Sequence, residues 1–222
     1  MTNSVVGHLI MKDWRLHYLP IALSLLCGAI ALAIIQLGGS TPILLGTAWF
    51  FIALIVFGSL LPVTNIVNEK KKQTLAFVMS LPVSPTQYMT AKLVSTVGMF
   101  LGPWLMLVIS ALLLIYGRGI FPRSVVPLTL VLAATTLLGF CLIACAACAS
   151  EGWGIALTVI CNSSYWLVWY GLMQLPAVTN GLKSPVAMWN STILTILGGQ
   201  FGLIALVLGL TFLLQSRKRD FV

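Results

Sequence analysis

The run from Val125 to Ala149, VVPLTLVLAATTLLGFCLIACAACA, contains no charged side chain. A helix rises about 1.5 Å per residue, so roughly 20 apolar residues cross the hydrocarbon core of a bilayer. Facing lipid, such a run must be helical, because unpaired backbone N–H and C=O groups are too costly where no water can meet them. Outward from this run, the same test is met by five more, which places spans at residues 19–37, 43–67, 89–116, 125–149, 153–175 and 191–214. The chain is 222 residues long, 59% hydrophobic and 7% charged. Soluble domains carry about 25% charged residues, so this one belongs in lipid. The predicted fold class is an all-α polytopic membrane protein, a single transmembrane domain over residues 1–222.

The charge pattern sets an expected orientation. Lys and Arg number 12 against 4 Asp and Glu, a net charge of +8. The basic residues cluster between apolar runs, as orientation signals do, which argues against nucleic acid as a partner. With the N-terminus inside, Lys12, Arg15, Lys70, Lys71, Lys72, Lys92, Arg217, Lys218 and Arg219 are cytoplasmic. Only Arg118, Arg123 and Lys183 fall outside. Both termini are therefore expected in the cytoplasm. No cleavable signal peptide is expected, since the first apolar run lacks a small-residue cleavage site and further spans follow.

Four segments outside the spans carry information. Residues 1–18 place Val5, Val6, Leu9, Ile10 and Trp14 near helical spacing among His8, Lys12 and Arg15, which predicts an amphipathic helix lying in the inner interface. Residues 68–84 form the longest inner loop, with a short helix predicted to end near Leu81, before Pro82. Ser84, Pro85 and Gln87 then suit the cap, first position and capping box of the next helix. An apolar-faced loop helix needs a second surface besides the bilayer, and a protein partner would supply it. Residues 176–190 suit an outer cap or re-entrant element, and residues 215–222 a basic cytoplasmic tail.

No catalytic constellation is present. His8 and His17 lack partners at productive spacing and are expected at the interface. There is no HExxH, GxSxG or GxxxxGK[ST] pattern, so no metalloprotease, hydrolase or nucleotide site is expected, nor any bound cofactor or metal. Cys141, Cys145 and Cys148 fall at i, i+4 and i+7 on one helix face, read as small residues at a tight helix contact. Carriers driven by protons or ions place ionisable groups within their spans. Here mid-depth is free of them, and Lys92 is expected to snorkel to the inner surface. A pump built this way needs energy from elsewhere.

Uncharged polar residues mark a possible translocation path. Asn162, Tyr165, Trp166, Trp169 and Tyr170 recur at i, i+3, i+4, i+7 and i+8 along the fifth span, with Asn65 in the second and Gln200 in the sixth. The competing reading is a packing hydrogen bond from Asn162 and an outer aromatic belt from Trp169 and Tyr170. Gly98–Gly102 and Gly198–Gly202 match GxxxG and would permit close helix approach.

At the inner loop, Glu69, Thr74-Leu75, Ser80-Leu81-Pro82-Val83-Ser84 and Lys92 resemble the membrane subunit of ATP-binding-cassette (ABC) transporters of the type-2 exporter class. Gln73 stands where that family commonly has glycine, while Lys12 to Arg15 resembles its connector helix and Arg217 to Asp220 its basic tail. The resemblance implies a permease subunit that is not itself an enzyme. ATP and Mg would be bound by a separate ATP-binding-cassette ATPase subunit, and a second copy of the chain or a paralogous permease would complete the pathway. It further implies a cytoplasmic coupling helix between spans 2 and 3, with Glu69, Lys72, Thr74, Leu75, Val78, Leu81 and Pro82 meeting the ATPase, and a bacterial inner-membrane location. The alternative is a subunit that anchors or assembles a complex and transports nothing.

Overall fold

The computed structural model describes residues 2–68 and 85–217, without the side chains at 2–6, 8–9, 85–89, 118 and 215–217. The elements among them are α1 (Thr2–Leu16), α2 (Tyr18–Gln36), α3 (Ser40–Pro62) with a π-helical turn (Val63–Val67), α4 (Pro85–Arg118), α5 (Val125–Ala149), α6 (Glu151–Gln174), α7 (Pro176–Leu182) and α8 (Ser191–Arg217). Six of these helices are long and apolar enough to cross a membrane, the number read from the sequence. The expected loop helix ending near Leu81, the Ser84 cap and the tail beyond Arg217 lie outside the described residues.

Helix α5 is the hub. Two-thirds of its spanning window (67%) is buried, against 6% for α8. It packs on α3, α4, α6 and α8. Phe57, Phe100 and Phe140 stack from α3 through α4 to α5, with centroids 5.7 and 4.0 Å apart. Beside them Gly58 leaves room for the Phe100 ring: a Cβ there would come within 3.2 Å of it. Lipid tails are as apolar as leucine, so close packing rather than exclusion from water holds these helices together. Trp104 Nε1 donates to Thr136 Oγ1 at 3.0 Å and ties α4 to α5. Gln200 Nε2 donates to Thr135 Oγ1 at 2.9 Å and ties α8 to α5.

Two tight turns set the helix order. Gly38 and Gly39 take positive φ (74° and 86°), which reverses the chain between α2 and α3 at no steric cost. Between α5 and α6 only Ser150 intervenes, and its Oγ accepts from Trp153 N–H at 3.2 Å as an N-cap. The close approach just after this turn requires Gly154, where a Cβ would lie 3.0 Å from Ala147 Cα. Cys141, Cys145 and Cys148 are buried on the packed face of α5, the last two in CxxC spacing. The GxxxG motifs behave differently from expectation. A Cβ at Gly98 would come no nearer than 3.9 Å to the Trp14 indole, and one at Gly102, Gly198 or Gly202 would meet nothing within 4 Å, so among the described residues neither motif marks a tight helix crossing.

Lys92 corrects the sequence reading. It does not snorkel to the surface: it is 3% exposed, and its Nζ donates to Asp13 Oδ1 at 2.8 Å and to Asn65 Oδ1 at 3.1 Å. Asn65 Nδ2 in turn donates to Thr96 Oγ1 at 2.7 Å. The physical reason is local: α1 folds back against the foot of α4 and puts an acid within reach, and a paired charge no longer needs water. Asn65 is positioned by the π-helical turn. Pro62, lacking an N–H, closes α3, and the wider turn that follows aims Asn65 at α4. His17, expected at the interface, is also buried, with Nδ1 3.0 Å from the Asp13 carbonyl. The cluster thus joins α1, the inner end of α3 and the start of α4.

Two outcomes are expected from thermal unfolding in detergent. Phe100→Ala, which removes the middle ring of the stack, should cost about 3–5 kcal/mol, whereas Met106→Ala on the exposed face should change the midpoint little. Lys92→Met or Asp13→Asn alone should each cost about 3–5 kcal/mol by stranding a buried partner, while the double variant Asp13→Leu with Lys92→Met should recover most of that loss.

Candidate functional site

The polar stripe expected along the fifth span lies on α6, and the structure brings most of it to one place. Helices α3 and α6 diverge to leave a groove of about 790 Å³. Asn162, Tyr165, Trp166 and Trp169 line its α6 side, and Thr47, Phe51 and Ile55 stand on α3 opposite. The 3.6-residue period explains the grouping, since i, i+3, i+4 and i+7 share one helical face. Within the stripe the residues differ: Tyr165 is 6% exposed, whereas Trp166 is 59% exposed at the mouth. The Tyr165 ring packs at 6.0 Å from Phe51, which fixes its place in the wall.

Behind the groove is a smaller recess of about 140 Å³ between α3, α5 and α6. Ile55, Asn162 and Tyr165 line both spaces. The recess adds hydroxyls that the sequence reading missed, those of Ser59, Thr135, Thr136 and Ser164. Ser59 Oγ donates to Asn162 Oδ1 at 2.9 Å, so Asn162 does serve helix packing, the competing reading of that residue, while also lining the groove. Threonine and serine in apolar helices are common, and only their gathering from three different helices would have signalled this recess. The Tyr165 hydroxyl is buried without a hydrogen-bond partner among the described residues. Among the described residues no charged side chain lines either space.

The remaining expected site residues lie elsewhere. Asn65 belongs to the Lys92 cluster, and Gln200 to the α5–α8 contact, where its Oε1 is buried without a partner among the described residues. Glu69, Lys72, Thr74, Leu75, Val78, Leu81 and Pro82 lie outside the described residues. What the structure shows is the two ends of that loop: Asn65 and Lys92, on the helices leading into and out of residues 69–84, are hydrogen-bonded to each other. Among the described residues no group of His, Cys, Asp or Glu could hold a metal ion.

Comparison with known proteins gives one finding on identity. No curated protein and no solved structure matches the chain. A family model described as ABC-2 family transporter protein matches residues 8–168, from within α1 through the groove-lining part of α6. That match covers well over half of the chain, and it includes the Asp13–Lys92 cluster and all the α6 residues of the groove except Trp169. The chain is a multi-pass membrane protein of the ABC-2 transporter family.

Proposed function

We propose that the chain is the membrane-spanning permease subunit of an ATP-driven ABC exporter, seated in a bacterial inner membrane with both termini in the cytoplasm. The observation that carries this reading is the ABC-2 family match over residues 8–168, on a chain whose apolar helices flank a groove lined, among the described residues, by no charged side chain. The groove between α3 and α6 is the translocation path, with Asn162, Tyr165, Trp166 and Trp169 along it. Asn65 and Gln200 act in helix packing instead, as their hydrogen bonds suggest.

Energy comes from a separate ATP-binding-cassette subunit that binds ATP and Mg, since the chain has no phosphate-binding loop of its own. The contact runs through the loop after the second span, at Glu69, Lys72, Thr74, Leu75, Val78, Leu81 and Pro82. Two permease chains, identical or paralogous, work with two ATPase subunits. Closure of the cassettes on ATP pushes the loop. The hydrogen bond between Asn65 and Lys92 ties its two ends, so the inner ends of α3 and α4 move together with α1. Because α3 forms one wall of the groove, that motion changes the groove's width, a population shift driven by differential contacts in the two states.

Replacing Glu69, or placing helix-breaking residues at Leu75 to Val78, is expected to leave the chain abundant in the membrane while transport is lost and ATP hydrolysis continues. ATP-dependent transport in inverted membrane vesicles, measured beside ATPase activity, checks this. Normal transport in both variants would mean that the coupling surface lies elsewhere.

A further inference from the structure

The groove and recess share a wall at Ile55, Asn162 and Tyr165 and differ in chemistry. The larger part is bounded by aliphatic and aromatic side chains, among them Ile52, Val56 and Trp166. The smaller part, behind Asn162 and Tyr165, is where hydroxyls gather. Most of those hydroxyls are already committed. Thr135 Oγ1 and Ser164 Oγ donate to carbonyls of their own helices at 2.8 and 2.6 Å. Thr136 Oγ1 donates to the Ala133 carbonyl at 2.7 Å and accepts from Trp104.

Two groups in the shared wall are left over. Asn162 Oδ1 lies 2.9 Å from Ser59 Oγ, a hydroxyl that also meets the Ile55 carbonyl at 2.8 Å, while no hydrogen bond from Asn162 Nδ2 is made among the described residues. The Tyr165 hydroxyl, on a residue more than nine-tenths buried, has none either. A buried hydroxyl without a partner costs roughly 1–3 kcal/mol, so its retention in the wall of a cavity points to a ligand atom that completes it. The Asn162 amide nitrogen donates and the Tyr165 hydroxyl can do so too, and an oxygen acceptor suits both. Among the described residues no lysine, arginine or histidine lines either space to neutralise an anionic headgroup, and no carboxylate lines them to meet a cation. Leaving an unpaired charge there would be prohibitive.

We infer that the site binds a neutral amphiphile, with its apolar body in the α3–α6 groove and an uncharged oxygen-bearing head, a hydroxyl or ester carbonyl, against Tyr165 and Asn162. This assignment of substrate class rests on reading the groove as the translocation path. It commits the site to a lipid-like neutral molecule rather than to a phospholipid, a charged peptide or a second copy of the chain.

The test uses the full chain in phosphatidylcholine nanodiscs, with Trp166 and Trp169 as reporters at the groove. A monoacylglycerol with a brominated acyl chain is the neutral probe, and lysophosphatidate with the same chain is the anionic one. The neutral probe should quench tryptophan fluorescence saturably and the anionic probe only in proportion to its membrane concentration. Trp166→Phe with Trp169→Phe should abolish the saturable part. Tyr165→Phe keeps the ring and the fold and should weaken neutral binding roughly 3- to 10-fold, the worth of one hydrogen bond. Equal quenching by both probes, or an unchanged affinity in Tyr165→Phe, would overturn the assignment, as would absence of saturable quenching. Because no ATPase is needed, a negative result here alongside ATP-dependent transport by the complex would reject the substrate class and leave the permease reading standing.

Discussion

A buried ion pair carries the inner end of this molecule. Asp13 and Lys92 are almost wholly removed from water, and their contact at 2.8 Å joins a helix that precedes the first span to the foot of the third. Taking two charges out of water is costly, and only close geometry with further hydrogen bonds offsets it. Here Asn65 supplies such a bond to the ammonium, and its own amide is satisfied by Thr96. The consequence is mechanical. Three elements that a bilayer alone would leave free to slide past one another are held in one register, and the ends of the inner loop are held with them.

The rest of the bundle follows a different logic. Helix α5 is buried because it is central, and its neighbours reach it through small residues, stacked phenylalanines and two hydrogen bonds from Trp104 and Gln200. Helices α6 and α8 show most of their surface outward, with Leu167, Leu206 and Leu213 among the exposed side chains. A helix that is apolar on all sides suits lipid or another membrane helix. The groove lies where α6 departs from α3, so a sparsely enclosed helix forms one wall of the space offered to a ligand. Regions that must move or open are drawn from sparsely packed parts of a structure.

Much of the architecture could be read in the sequence, because uninterrupted apolar runs admit only helix in lipid. The start of α4 at Pro85 was legible in the residues around it, as proline suits a first helical turn. The i, i+3, i+4, i+7 stripe on α6 was legible too, since helical period alone puts Asn162, Tyr165, Trp166 and Trp169 on one side. Periodicity could not say that Tyr165 faces inward and Trp166 outward, because a helix apolar all round carries no signal of which face meets a neighbour. Lys92 was misread for a related reason. A lysine near a helix end snorkels unless an acid lies beside it, and Asp13 is 79 positions away in the chain. An acid in an otherwise apolar and basic first helix was the available hint. Asn65 and Gln200 looked like path residues because an amide in a span is conspicuous, yet amides serve helix packing equally well, and only the contacts distinguish the two uses.

The central claim is that this chain conducts a substrate on behalf of an ATPase it does not itself contain. Its most direct test is purification of the tagged chain in mild detergent, with companions identified by mass spectrometry and ATP hydrolysis assayed. The account predicts a near-stoichiometric ATP-binding-cassette subunit and ATPase activity in the preparation. A homogeneous, folded preparation with no ATPase and no ATP hydrolysis would contradict it, and would leave a membrane protein that anchors or assembles other components.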